Sequence, residues 1–246
     1  MRKSKNTFYC FSPPVMIATC IIEFGLLFYT FYRYKMTTIT RVALATLALL
    51  GIFQMSEFAV CGHDTSTVAM WSRIGFISIT MLPPLGIHLI SLISKRVPSW
   101  TVLAAYASGI GFALVFGLHE SAFQSHICAG NYAIFQLMPN LGGVYFVYYY
   151  AWLIIGIVMS LMFSIDASPR IRKALVFQAL GHLSFLIPTG VVNAIHPETI
   201  NGIPSIMCGF AVIYALTLAL GIVPLVLAER REKAQPKTTG KKRTKA

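Results

Sequence analysis

The sequence predicts an all-α, polytopic membrane protein: a seven-transmembrane helix bundle with the N-terminus outside and the C-terminus cytoplasmic. Three observations predict it. Of the 246 residues, 56% are hydrophobic and only 11% are charged, with a mean hydropathy of +0.69, whereas a soluble domain carries roughly 25% charged residues. The apolar residues fall into seven runs, each long enough to cross a hydrocarbon core of roughly 30 Å. The cations collect in alternate gaps between those runs, which is the pattern that sets orientation in a bilayer.

The external N-terminal tail, 1–12, precedes a first run at 13–34. A basic start before an apolar run also describes a signal peptide, but this run lacks an A-x-A cleavage pattern and is followed by Arg33 and Lys35. It reads as a retained helix. The second run is 41–61. The third, 68–94, opens with Trp71 and Arg73, carries Pro83-Pro84 and His88, and ends at Lys95-Arg96. The fourth, 97–118, places Ala105, Gly109 and Ala113 four residues apart, a small face for close helix packing. After a polar gap comes 141–165, which holds Tyr145, Phe146, Tyr148, Tyr149, Tyr150 and Trp152. These go all round the helix, so some face a membrane interface and others must point inward. The sixth run is 174–194 with Pro188 inside it, and the seventh is 203–228 with Pro224 near its end. A basic cytoplasmic tail, 229–246, is expected to be disordered.

The gaps after runs one, three and five hold Arg33, Lys35, Arg41, Lys95, Arg96, Arg170, Arg172 and Lys173, and eight more of the twenty Lys and Arg follow Glu229. The gaps after runs four and six hold none. The formal charge of +12 is therefore a topology and lipid-headgroup signal; the expected partners are the bilayer, with anionic lipids at the basic tail, and not nucleic acid. In that orientation Cys61 and Cys128 share the external side, where a disulfide is one reading and two unpaired thiols the other. Cys20 and Cys208 lie in apolar runs, where a thiol behaves as a small hydrophobe. No spacing of cysteines or histidines suggests a metal site, and no cofactor is expected.

Ionisable groups inside a membrane are costly and are by default functional candidates. Glu23 lies near the middle of the first run, as either a protonated buried carboxyl or a ligand contact. His88 and His182 fall at similar depth and are candidates to face each other. They are either a proton-sensitive or ligand-contacting pair, or two neutral histidines bonded to nearby hydroxyl or backbone groups. Glu57, Trp71, Arg73 and His119 belong to the external rim, with Glu57 and Arg73 at comparable depth for an ion pair. With Tyr149 from the aromatic run, these residues are the candidate ligand contacts. Pro83, Pro84, Pro188 and Pro224 are candidate hinges. No phosphate-cradling glycine loop, G-x-S-x-G or H-E-x-x-H is present, so no enzymatic activity is expected.

Taken in order, Arg73-Ile-Gly-Phe-Ile-Ser-Ile-Thr-Met-Leu-Pro-Pro-Leu, Leu118-His119-Glu120, Ser168-Pro169-Arg170-Ile-Arg172, Leu186-Ile187-Pro188 and Ile203-Pro204 resemble the N-terminal seven-transmembrane region of prokaryotic histidine kinases. The resemblance covers runs three to seven and matches at Arg73, Pro83, Pro84, His119 and Pro188. It implies an input module that senses a ligand or membrane state and passes a conformational change to a cytoplasmic output, in a prokaryotic inner membrane. No kinase domain follows run seven in this sequence. The expectation is a stand-alone sensor signalling to a separate protein, with a small transporter as the alternative, although the internal repeat common in transporters is not visible.

Overall fold

The structure, a computed structural model, describes residues 13–62, 65–119, 122–129, 132–196 and 202–235. Its helices are α1 (Pro13–Arg33), α2 (Thr38–Gly62), α3 (Thr65–Thr80), α4 (Leu82–Ser94), α5 (Ser99–Leu118), α6 (Pro139–Ser164), α7 (Pro169–Ile195), α8 (Ile203–Leu216) and α9 (Val223–Ala234). A π-helical segment, Thr217–Ile222, joins α8 to α9. Because α3 with α4, and α8 with α9, each make one span, the described residues contain seven helical spans long and apolar enough to cross a membrane. The helical bundle is as expected.

The gap between α5 and α6 is not irregular. It carries an antiparallel hairpin of β1 (Phe123–Ala129) and β2 (Tyr132–Leu137), with Ala129 opposite Tyr132 and Phe123 opposite Leu137. The sequence between the strands is Gly130-Asn131, a pair with the chemistry of a two-residue hairpin connection. The hairpin packs on α2, α3 and α8, and Phe123 is buried against Phe76 and Phe116, with ring centroids at 5.1 and 5.7 Å.

The second span packs against α1, α3, α4 and α8 and is 61% buried; the third is 67% buried, and the first and fourth only 22% each. The central pair is thus α2 with α3–α4, while α1 and α5 turn Ile21, Phe28, Tyr32, Trp100 and Leu103 outward, as lipid-facing helices do. Within hydrocarbon no water is at hand for backbone or hydroxyl groups, so they must be satisfied inside the protein. Thr46, Ser56 and Ser78 donate to the carbonyls of Val42, Ile52 and Ile74, one turn back, at 3.0, 2.8 and 2.8 Å.

The third span breaks at Met81 because Pro83 and Pro84 occupy the first turn of α4 and bring no N–H. An uninterrupted helix would bond the Thr80 carbonyl to the amide of residue 84. With proline there, the Tyr148 hydroxyl of α6 donates to that carbonyl instead, at 2.7 Å. The Thr80 and Tyr145 hydroxyls bond at 3.1 Å beside it. On the other flank α5 comes close only because residue 109 is glycine. A Cβ there would stand 2.8 Å from Pro84 Cγ and 2.9 Å from the Tyr148 hydroxyl. Ala105 and Gly109, from the small-residue face, are both buried.

The remaining prolines behave differently. Helix α7 continues through Pro188 without interruption, and Pro224 sits in the first turn of α9, after the π-helical segment. The sixth span begins at Pro169, earlier than the apolar run, because proline suits the first turn of a helix. The seventh extends to Ala234, so part of the basic tail is helical.

Two outcomes follow for stability. Tyr148→Phe strips the Thr80 carbonyl of its donor inside the bundle and is expected to cost about 1–3 kcal/mol. Gly109→Ala wedges α5 away from the break at a similar cost of about 1–3 kcal/mol. Thermal unfolding in detergent measures both; midpoints equal to wild type would remove the account of the break.

Candidate functional site

The candidates occupy three tiers. At the end that carries the hairpin, an apolar cleft lies between α6 and the start of α8, lined by Tyr145, Tyr149, Tyr150, Ile203, Met207 and Cys208. Below it a second cavity is lined by Tyr149, Leu153, His182, Met207, Cys208 and Tyr214. The two share Tyr149, Met207 and Cys208. Their cavity volumes are only about 10 and 20 Å³, room for roughly one water each, so a larger occupant requires the helices to part. Tyr145, Tyr148 and Tyr149 are the inward members of the aromatic run and are buried, while Phe146, Tyr150 and Trp152 are half-buried.

His182 lies deep in the bundle, 4% exposed. Its Nδ1 is 2.8 Å from the Gln178 carbonyl, and since a carbonyl only accepts, Nδ1 carries the proton. Nε2 then faces Gly86 of α4, where a Cβ would approach it to 3.0 Å. Gln178 Nε2 donates to the Tyr214 hydroxyl at 2.8 Å, and the His182 and Tyr214 rings lie 5.1 Å apart.

His88 does not face His182. Two residues along α4 are about 200° around the helix, so with Gly86 toward His182, His88 turns the other way. Its Nδ1 is 3.0 Å from the Tyr106 hydroxyl of α5, with the rings edge to face at 5.7 Å. The expectation of a facing histidine pair is therefore corrected: similar depth did not mean a shared face. Each ring instead has a local hydroxyl or backbone partner.

The third tier is acidic. Glu23 sits at the midpoint of α1, fully buried, and neither of its carboxyl oxygens has a hydrogen-bond partner among the described residues. Glu57 of α2, 1% exposed, is close enough for the two charges to interact, and Cys208 of α8 lies within electrostatic reach of both. One turn before Glu57, Gln54 is buried with its Nε2 unpartnered among the described residues. Cys20 donates weakly to the Gly51 carbonyl at 3.9 Å. The described residues include no group of three or more His, Cys, Asp or Glu arranged to hold a metal ion. Helices α1, α2 and α8 pack together, and Cys208, which lines the His182 cavity, lies on the α8 side of that packing.

Of the external-rim candidates, Trp71 and Arg73 are half-buried on α3, which packs on the α2 helix that carries Glu57. His119 is exposed at the end of α5. The side chains of Cys61 and Cys128 lie outside the described residues, and Cys20 and Cys208 are free thiols. Sequence reasoning missed Gln54, Gln178 and Tyr214. Their signal was available: a polar amide within an apolar run needs a partner as a charge does.

No known family model matches the chain, and no curated protein matches its sequence.

Because His88 and His182 face opposite sides of α4 and share no partner, their effects on stability should add. In a double-mutant cycle of His88→Ala and His182→Ala the interaction energy is expected within about 0.5 kcal/mol of zero, measured by thermal unfolding. A larger coupling would restore the facing pair.

Proposed function

We propose that this protein is a membrane sensor module in which an event at the cleft around Tyr149, Met207 and Cys208 shifts the last span, and a separate protein reads that shift at the basic end. The observation that carries this reading is that one helical span touches both places. Met207, Cys208 and Tyr214 of α8 line the two cavities, and Glu229, Arg230 and Lys233 of α9 stand at the opposite end. Between them the helix passes through a π-helical turn, a form that recurs at functional sites and adjusts helix register at small cost. The small cavity volumes favour a small apolar ligand, or a change in membrane packing, as the stimulus. The resemblance of spans three to seven to histidine-kinase input regions supports the same division of labour between a membrane input and a cytoplasmic output. The gathering of cations at one end supports an N-out, C-cytoplasmic orientation in a prokaryotic inner membrane.

A small transporter is the second reading, and Glu23 favours it. A carboxyl with two unpartnered oxygens in the middle of a span is the kind of group found on proton and ion paths.

A photo-crosslinking residue placed at Arg230 or Lys233 in native membranes separates the two. Capture of a defined soluble signalling protein, lost in a Tyr149→Ala variant, is the outcome expected for the sensor. If only lipid is captured and proteoliposomes carry a solute or proton flux that Glu23→Gln abolishes, the sensor reading is overturned in favour of transport.

A further inference from the structure

At the basic end, the close of α4, the α6–α7 connection and α9 surround a pocket of about 230 Å³. That is roughly fifteen times the space one water needs by the same measure. Four cations line it, Lys95, Arg96, Arg230 and Lys233, against a single carboxylate, Glu229.

The bonding of these groups is unequal. Glu229 is committed: the Ser168 hydroxyl donates to it at 2.8 Å, Lys233 pairs with it at 3.1 Å, and Arg170 lies at 3.9 Å while also pairing with Glu232. Arg96 reaches Asp166 at 3.7 Å, but both side chains are well exposed, and solvent weakens such a pair. Lys95 and Arg230 have no carboxylate partner among the described residues. Arg230 is nonetheless fixed, because one guanidinium nitrogen donates to the Leu92 carbonyl at 3.0 Å, one of the carbonyls that a helix end leaves unbonded. Lys95 is fixed at its backbone, in the left-handed conformation at φ 58° that closes α4. One cation held by its side chain, Arg230, and one anchored at its backbone, Lys95, thus line the same pocket with no carboxylate paired to either among the described residues.

We propose that this pocket binds the phosphate group of an anionic phospholipid, with Lys95, Arg96 and Arg230 as the contacting cations. The shared chemistry is phosphate, and the walls argue for a lipid source. Leu92, Phe163 and Val226 line the same pocket beneath the cations, at the level where the apolar spans end. A headgroup continuous with acyl chains meets both surfaces, whereas free phosphate meets only one. Basic pockets between helices at the membrane surface hold anionic headgroups in this way. The site lies in the helical bundle itself, apart from the basic segment 236–246, and it does not depend on whether the chain senses or transports. Occupancy would tie α9 to the end of α4.

The test is native mass spectrometry of the full chain released from nanodiscs of equal phosphatidylcholine and phosphatidylglycerol. Wild type is expected to retain phosphatidylglycerol, and the double variant Lys95→Asn, Arg96→Gln to retain about tenfold less or lower still, given two lost cations. Asn tolerates the left-handed conformation, and both replaced side chains are exposed, so the fold persists. Arg33→Gln with Lys35→Gln, outside the pocket, is expected to match wild type. Absence of retention in wild type, undiminished retention in the pocket variant, or an equal fall in the Arg33, Lys35 control overturns the proposal. Displacement of the lipid by millimolar inorganic phosphate also overturns it, by showing a soluble-phosphate site.

Discussion

In hydrocarbon a carbonyl without a donor has nowhere else to turn, and the third span contains one by construction. Pro84 cannot bond to the Thr80 carbonyl, and the Tyr148 hydroxyl takes its place at 2.7 Å. Much of the bundle depends on that substitution. It brings α6 against the break, sets Tyr145 beside the Thr80 hydroxyl, and packs the Phe112 ring on Tyr148 at 4.8 Å between centroids, tilted by 39°. It also requires α5 to present no side chain at Gly109. Proline in the middle of a span is tolerated where a neighbouring helix supplies the missing donor, and here three helices converge on one carbonyl.

Against that economy the interior polar groups divide into two kinds. Many Ser and Thr hydroxyls, and the His182 ring, bond back to carbonyls of their own helix, while His88 pairs with Tyr106 and Gln178 Nε2 with Tyr214 across short gaps between helices. Such groups hold helices in register. Glu23 has no such partner. Leaving a buried polar atom unmatched costs about 1–3 kcal/mol; among the described residues Gln54 Nε2, the hydroxyls of Thr30, Thr101 and Ser160 and Gln178 Oε1 are unmatched too, but Glu23 alone of these is ionisable. A cost retained at the midpoint of a span, next to Glu57 and Cys208, fits a group that does something other than hold the fold, which is why the transport reading keeps a place beside the sensor.

The sequence made some of this legible and concealed the rest for identifiable reasons. Seven spans were visible because hydropathy integrates over about twenty residues, and the break at Pro83-Pro84 because proline acts locally. Facing was hidden. Soluble helices reveal their buried side by a polar stripe, but a lipid-facing side is as apolar as the core, so Gly86 and His88 could be assigned a depth and not a direction. The hairpin has a readable signal, two short runs separated by Gly130-Asn131, but it lies in a gap whose polar composition masks it. The acidic tier was half legible, since Glu23 announced itself by charge while its proximity to Cys208 depends on how α1 and α8 meet.

The last span shows how one helix serves both ends of the molecule. Ala211, Ala215, Ala219, Val223 and Leu227 are all buried, a repeat of four residues. An α-helix turns about 400° in four residues, so a straight one would carry such a stripe about 40° further round at each step and leave its far end facing lipid. Wider winding through Thr217–Ile222 takes up part of that drift, since a π turn accommodates an extra residue. Cys208 therefore faces the interior at one end while Val226 and Glu229 still face α4 and α7 at the other. That same segment is packed by small groups: Gly221 lies against Phe177, and Gly181 of α7 against Tyr214. The π-helical turn thus lies within the span that carries both Tyr214 and Cys208 of the cavity and Arg230, whose guanidinium donates to the Leu92 carbonyl at the end of α4.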